Sequence, residues 1–210
     1  MEYNFIKDNK YNFWKQQDPQ PFDYNTDYKK MQSTTLEMSY LRIGYFLNFI
    51  NSEELKDFKN WKVCDVGSGN GIFGKICKKI FGYGAEYDLS GDTISKEELE
   101  STNWDLIFLT DVLEHYYNIE ELFKIKFKYL FLSFPETPDT DSLKELSAWK
   151  HFKPNEHIYC LNQYGMKKWF YEHNCEILGC GNPEDLIRKS ESRINITTMI
   201  IKNNNWSNKC

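Results

Sequence analysis

The sequence predicts an α/β sandwich around a mostly parallel sheet, and three observations predict it. Short apolar runs of strand length alternate along the chain with segments of helical spacing. The first strong run, in "KVCDVGSGNGIFGKI" (residues 62–76), passes through a glycine-rich turn directly into a helix. The 210 residues suit one domain with a full core plus a short appendage, and no internal repeat divides them.

Taken in order, residues 1–32 are polar and aromatic without clear period. They predict an irregular arm carrying Tyr11, Phe13, Trp14, Phe22, Tyr24 and Tyr28. The domain proper spans 33–203. Thr34 with Glu37 fits a capping box, and Leu36, Tyr40, Ile43, Leu47 and Ile50 recur at helical spacing. A short Ser52-capped segment leads to a strand over 62–66, and a helix over 73–80 follows the turn. Residues 83–87 form a second short strand ending at Asp88. Ser95 with Glu98 caps a small helix ahead of a third good strand, 105–110. Residues 118–127 read as helix, and 129–134 as a strand closed by Pro135. Residues 139–160 form an insertion after that strand. A helix over 162–173, strands over 176–180 and 195–201, and a polar tail over 204–210 complete the chain.

Composition narrows the classes. No apolar run approaches the roughly 18 residues that span a bilayer, and "MEYNFIKDNK" lacks a signal-peptide core, so a cytoplasmic protein without membrane contact is expected. The six cysteines form no CxxC pair and no zinc spacing, which favours reduced thiols. A net charge of -5 argues against a duplex-binding surface, because phosphate binding needs clustered Lys and Arg.

Two patterns overlap in the glycine turn. Gly69-x-Gly71-x-x-Gly74 matches the dinucleotide fingerprint, while Asp65-x-Gly67-x-Gly69-x-Gly71 matches the loop that binds S-adenosylmethionine. Both use glycine so that backbone can approach the ligand, and both use an acid ending the next strand for ribose hydroxyls, here Asp88. Strand register decides between them. Val66 runs straight into Gly67, two residues too early for the dinucleotide form. Asp65, inside the strand end, sits awkwardly beside a pyrophosphate but suits a sulfonium and an ammonium group.

Further motifs follow in order: "NWDLIFLTDVLEH" (103–115), "YLFLSFPE" and "PNEHIYCLNQYGMKKWF". Over roughly residues 33–201 the series resembles the class I S-adenosylmethionine-dependent methyltransferases, and most nearly the branch of ubiquinone-biosynthesis-type small-molecule O-methyltransferases. The resemblance implies a Rossmann-like three-layer sandwich with six or seven strands, the last antiparallel. It also implies that Gly67, Ser68, Gly69 and Gly71 approach the methionine moiety, Asp88 binds ribose and Leu89 packs on adenine. Thr110 and Asp111 would line the methionyl side, and Arg42, in "MSYLRIGYFLNFI", would meet the cofactor carboxylate. One departure stands out. Only fifteen residues separate Asp88 from Trp104, too few for a full crossover, so the family's third, edge strand is expected to be shortened or missing. Asp92 is a candidate replacement for the usual adenine contact.

A hydroxyl nucleophile needs a base near neutrality, which His supplies most easily. His115 and His157, with Glu114, are the catalytic candidates that the resemblance places at the acceptor side. Asp111, Glu114, His115 and His157 also resemble the ligand set by which some relatives hold a divalent, Mg-like ion, a less favoured addition. The expected activity is methyl transfer to a hydroxyl, less readily an amine, of a small molecule or glycan. The alternatives are an RNA 2′-O-methyltransferase-like enzyme, with Lys124, Lys126 and Lys128 as local charge, and a degenerate fold that serves as a binding partner. The aromatic arm and residues 139–160 are expected to roof the acceptor pocket, although the arm would equally suit a homodimer interface.

Overall fold

The computed structural model describes residues 3–23, 35–89, 93–188 and 195–206. In chain order the strands are β1 (Phe5–Asp8), β2 (Phe13–Gln16), β3 (Lys62–Val66), β4 (Tyr83–Tyr87), β5 (Asn103–Thr110), β6 (Lys126–Pro135), β7 (Tyr159–Cys160), β8 (Cys175–Gly181) and β9 (Ile196–Asn203). The helices are α1 (Leu36–Leu47), α2 (Ile72–Phe81), α3 (Lys96–Ser101), α4 (Leu143–Ser147), α5 (Gln163–Glu172) and α6 (Asp185–Arg188).

The main sheet runs β4-β3-β5-β6-β9-β8. The first four strands are parallel, and β9 is antiparallel to both β6 and β8. Alternate residues of the central strands feed two cores, as period-two side-chain geometry requires. Cys64, Val66, Ile107, Leu109, Leu130 and Leu132 pack with Met166, Trp169 and Phe170 of α5. Val63, Leu106, Phe108 and Phe131 pack on the opposite face with Phe46 of α1 and with Phe73, Ile76 and Phe81 of α2. This is the Rossmann-like three-layer sandwich.

Between β4 and β5 the described residues form α3 and no strand, which leaves β4 at the sheet edge. Among the described residues the third, edge strand is thus missing, as the short crossover leads one to expect. Asp92 lies outside the described residues.

Three expectations need correction. The arm is not irregular. β1 and β2 form an antiparallel hairpin, and β2 pairs with β7 in a separate three-stranded sheet. Four-residue strands are too short to display a period, and what fixes them is burial of Phe5, Phe13 and Trp14. Tyr24 and Tyr28 lie outside the described residues. Second, 118–127 is not one helix. A 3-10 segment, Ile119–Lys124, gives way to β6, whose Lys126 and Phe127 pair with Asn103 and Trp104. Sheet pairing there overrides local helical spacing. Third, the α1 cap is Thr35, whose side chain accepts from the Met38 N–H, and Thr34 lies outside the described residues. Ser95 does cap α3, accepting from the Glu98 N–H. Among the described residues no helix is long and apolar enough to cross a membrane.

Candidate active site

β3 ends at Val66 and the chain turns through three glycines of positive φ, 77° at Gly67, 53° at Gly69 and 69° at Gly71. Only glycine suits the first of these on two counts. The backbone is left-handed, and an added Cβ would lie 2.2 Å from Val112 Cγ2. The turn is tied to the neighbouring strand: Gly67 N–H donates to the Tyr87 carbonyl at 2.7 Å, and Gly69 N–H donates to Asp88 Oδ2 at 3.0 Å. Side-chain-free backbone facing a carboxylate at two parallel strand ends is a cradle suited to a nucleoside with a cationic amino-acid tail.

A cavity of about 970 Å³ opens above this turn. Its wall includes Arg42, Gly67, Ser68, Gly69, Asp88, Leu89, Thr110, Asp111, Glu114, His115 and His157, so eleven sequence-predicted residues from five stretches of chain meet there. Leu89 stands at the mouth, 83% exposed. Asp65 and Gly71 do not line the cavity. Gly71 is the N-cap of α2, and the place of its Cβ is taken by Glu86 Oε2 at 2.8 Å. Asp65 lies buried behind the turn. Burial pushes its carboxyl up to about 7, against the pull of Arg42.

Arg42 already has a partner. Its Nε and Nη2 donate to the two oxygens of buried Glu184 at 2.9 and 3.0 Å. Arg188 Nη2 donates to the same carboxylate at 2.8 Å and to Asp111 Oδ2 at 2.5 Å. A chain of alternating charge, Arg42–Glu184–Arg188–Asp111, thus closes one side of the cavity. Coulombic attraction and hydrogen bonds to Arg42 and Arg188 hold Glu184 below the usual carboxylate range despite burial. Sequence reasoning missed Glu184 and Arg188. Their four-residue spacing in "PEDLIR" was the available signal.

Also lining the cavity, Glu114 and His115 lie on a 3-10 turn, Leu113–His115, just past β5. Both Glu114 oxygens are buried without a hydrogen-bond partner, and burial, with Asp111 nearby, raises the carboxyl well above its usual range. His115 Nδ1 lies 2.7 Å from the Glu156 carbonyl. A carbonyl only accepts, so Nδ1 carries the proton and Nε2 the lone pair. The His157 ring stands edge-on to His115, centroids 4.9 Å apart. Burial lowers both imidazoles, His157 to about 2. One ligand atom each from Glu114, His115 and His157 lie within 4.8 Å of one another. Asp111, the fourth residue of the expected metal set, is engaged with Arg188 instead. His151, also on the wall, has its Nε2 2.7 Å from Asn195 Oδ1.

A family model described as "Methyltransferase domain" matches residues 35–179. No curated protein matches. Among solved structures the fold is similar to a SAM-dependent methyltransferase from Aquifex aeolicus, at 13% identity and TM-score 0.55, over 86% of this chain and 100% of that one. It is also similar to an S-adenosylmethionine-dependent methyltransferase from Mesorhizobium loti, at 11% identity and TM-score 0.50, over 80% and 98%.

Proposed function

Because the chain belongs to the class I S-adenosylmethionine-dependent methyltransferases, we propose that it methylates a hydroxyl group of a small molecule or glycan, with His115 as the base. The observation that supports this reading is the His115–Glu156 contact, which leaves the lone pair on Nε2 of a residue that lines the same cavity as the glycine turn. Ligand pockets run to about 300–1,000 Å³, and a cavity of 970 Å³ has room for a cofactor and a modest acceptor together.

Bound S-adenosylmethionine supplies an electrophilic methyl group on a sulfonium sulfur. Asp88 would hold its ribose, and the Gly67–Gly69 backbone, Asp111 and the Arg42–Glu184 pair would bound its amino-acid end. His115 takes the acceptor's hydroxyl proton on Nε2, and its Nδ1–H bond to Glu156 steadies the charge that the ring acquires. His157, beside it, restricts where the acceptor oxygen can sit. The lysines of the RNA alternative each have a partner within the protein. Lys124 pairs with Glu121, Lys126 reaches the Ser101 carbonyl, and Lys128 pairs with Glu54 over the Trp61 and Tyr129 rings.

The Glu114 carboxyl, buried without a hydrogen bond and 4.0 Å from His115 Nε2, favours a second reading, in which Glu114, His115 and His157 hold a divalent ion. Two imidazoles and one carboxylate suit zinc or a similar borderline ion better than magnesium. Such an ion would lower the pKa of a bound hydroxyl.

The experiment is methyl transfer from labelled S-adenosylmethionine across a panel of phenols, sugars and amines, with His115→Gln and Glu114→Gln beside the wild type. His115→Gln should lose ~10²–10⁴-fold in turnover and keep its S-adenosylhomocysteine affinity. Transfer confined to amines, or full activity in His115→Gln, would refute the hydroxyl–base reading. Metal found bound to the wild type by elemental analysis and absent from Glu114→Gln would favour the second.

A further inference from the structure

The arm hairpin reaches the acceptor side of the site through one residue. Gln16, the last of β2, is 3% exposed, and its carboxamide forms a reciprocal pair with Asn155. Asn155 N–H donates to Gln16 Oε1 at 2.7 Å, and Gln16 Nε2 donates to Asn155 Oδ1 at 2.9 Å. Gln20 N–H adds a third bond, to the same Oδ1 at 3.0 Å. Asn155 has φ 71°, a left-handed conformation that asparagine adopts more readily than most non-glycine residues.

What this clamp imposes lies immediately downstream. Glu156, the next residue, offers the carbonyl that meets His115 Nδ1 at 2.7 Å. His157 follows, with its main-chain N–H donating to the Lys153 carbonyl at 2.7 Å. Ile158 is then held on both sides: its N–H donates to the Glu114 carbonyl and its C=O accepts from Gln16 N–H, each at 2.8 Å. Gln16 therefore grips the 155–158 segment twice, once by side chain and once by backbone. That segment in turn bonds to Glu114 by its main chain and to His115 by a carbonyl.

We propose that Gln16 is a positioning residue for the transfer step, its buried carboxamide acting through Asn155 to place the Glu156 carbonyl and so fix the Nδ1–H tautomer of His115. The proposal rests on His115 being the acceptor-side base, as argued above. A neutral imidazole can carry its proton on either nitrogen, and only the Nδ1–H form has its lone pair on Nε2. Loosening the carbonyl would release the ring to the wrong tautomer, while the glycine turn keeps its own bonds to Tyr87 and Asp88.

The test uses ¹⁵N-labelled full-length wild type, Gln16→Met and Asn155→Gly. Methionine keeps the length of glutamine and removes the amide. Glycine keeps the positive φ and the backbone bond to Gln16 Oε1 but removes the side-chain bonds. Long-range proton–nitrogen spectra at about pH 8.5, where histidine is neutral, report which ring nitrogen of each His bears the proton. The wild type should show His115 as Nδ1–H. Gln16→Met should show a mixture containing Nε2–H, and Asn155→Gly a smaller change in the same direction. S-adenosylhomocysteine affinity by calorimetry should stay within about twofold in both. With any acceptor that the wild type methylates, kcat of Gln16→Met should fall ~10-fold or more while KM for S-adenosylmethionine holds. A purely structural role would lower the melting temperature and leave the tautomer pattern of the folded protein unchanged. An unchanged His115 pattern in the folded variants overturns the proposal; if Gln16→Met does not fold, Asn155→Gly decides. Failure of the methyl-transfer reading would look different, as a wild type that does not bind S-adenosylhomocysteine.

Discussion

Arg42 shows how far a single residue can depart from its sequence reading. On a helix before the first strand of the sheet it reads as a partner for a bound carboxylate. In the fold it is 3% exposed and its fork is already filled by Glu184. A bidentate pair of this kind is costly to break, because either partner alone is a buried charge. Any cofactor carboxylate must therefore meet a guanidinium that Glu184 has already oriented. Asp65 raises a related question, how a buried carboxyl affects stability. The folded protein keeps this proton up to about pH 7, whereas the ordinary value is 3.8. The stabilising contribution is thus complete below about pH 4 and lost as pH rises through 7. Asp65→Asn removes that loss. In melts from pH 5 to 8.5 the variant should gain on the wild type as pH rises, by ~5 °C at the upper end. A gap independent of pH would mean that the carboxyl titrates normally.

At the scale of elements, the legible parts were those whose pattern is local. β3, β5, the glycine turn and the Ser95 cap could be read from the residues alone, because burial on both faces, positive φ and capping chemistry each leave a short-range mark. The hairpin β1–β2 left no such mark. Phe13 belongs to the main core with Leu161, Met166 and Trp169, and Phe5 and Trp14 to a separate cluster with Leu146 and Cys160, so the hairpin is fixed by residues well over a hundred positions away. The arm is therefore part of the fold rather than a detachable cover. Phe13→Ala should cost ~3–5 kcal/mol, the scale for truncating a buried aromatic, measured by urea unfolding. A loss under about 1 kcal/mol, typical of surface positions, would mean that the hairpin packs loosely. The 118–127 segment was misread for the same reason: its helical spacing is real, but the pairing of Lys126 and Phe127 with β5 is decided at a distance.

For the whole molecule, one cavity gathers two sets of residues to which the proposed function gives different duties. The glycine turn, Asp88 and the Arg42–Glu184–Arg188–Asp111 chain are one set. Glu114, His115 and His157, on or bonded to a segment that the arm grips, are the other. In the first set the glycine turn and Asp88 were legible, because glycines and an acid recur at fixed spacing, while Glu184 and Arg188 were not. The second was legible only as residue types, since the contact between His115 and Glu156 joins positions 41 apart. Among the described residues β4 stands at the sheet edge, so the proposed ribose contact rests chiefly on Asp88. The most direct measurement is calorimetric titration of S-adenosylhomocysteine and of NAD into the wild type and Asp88→Ala. S-adenosylhomocysteine should bind the wild type, NAD should give no heat, and Asp88→Ala should weaken binding by ~1.5–3 kcal/mol, the range for a lost charged hydrogen bond. Tight NAD binding, or S-adenosylhomocysteine binding indifferent to Asp88, would contradict the account.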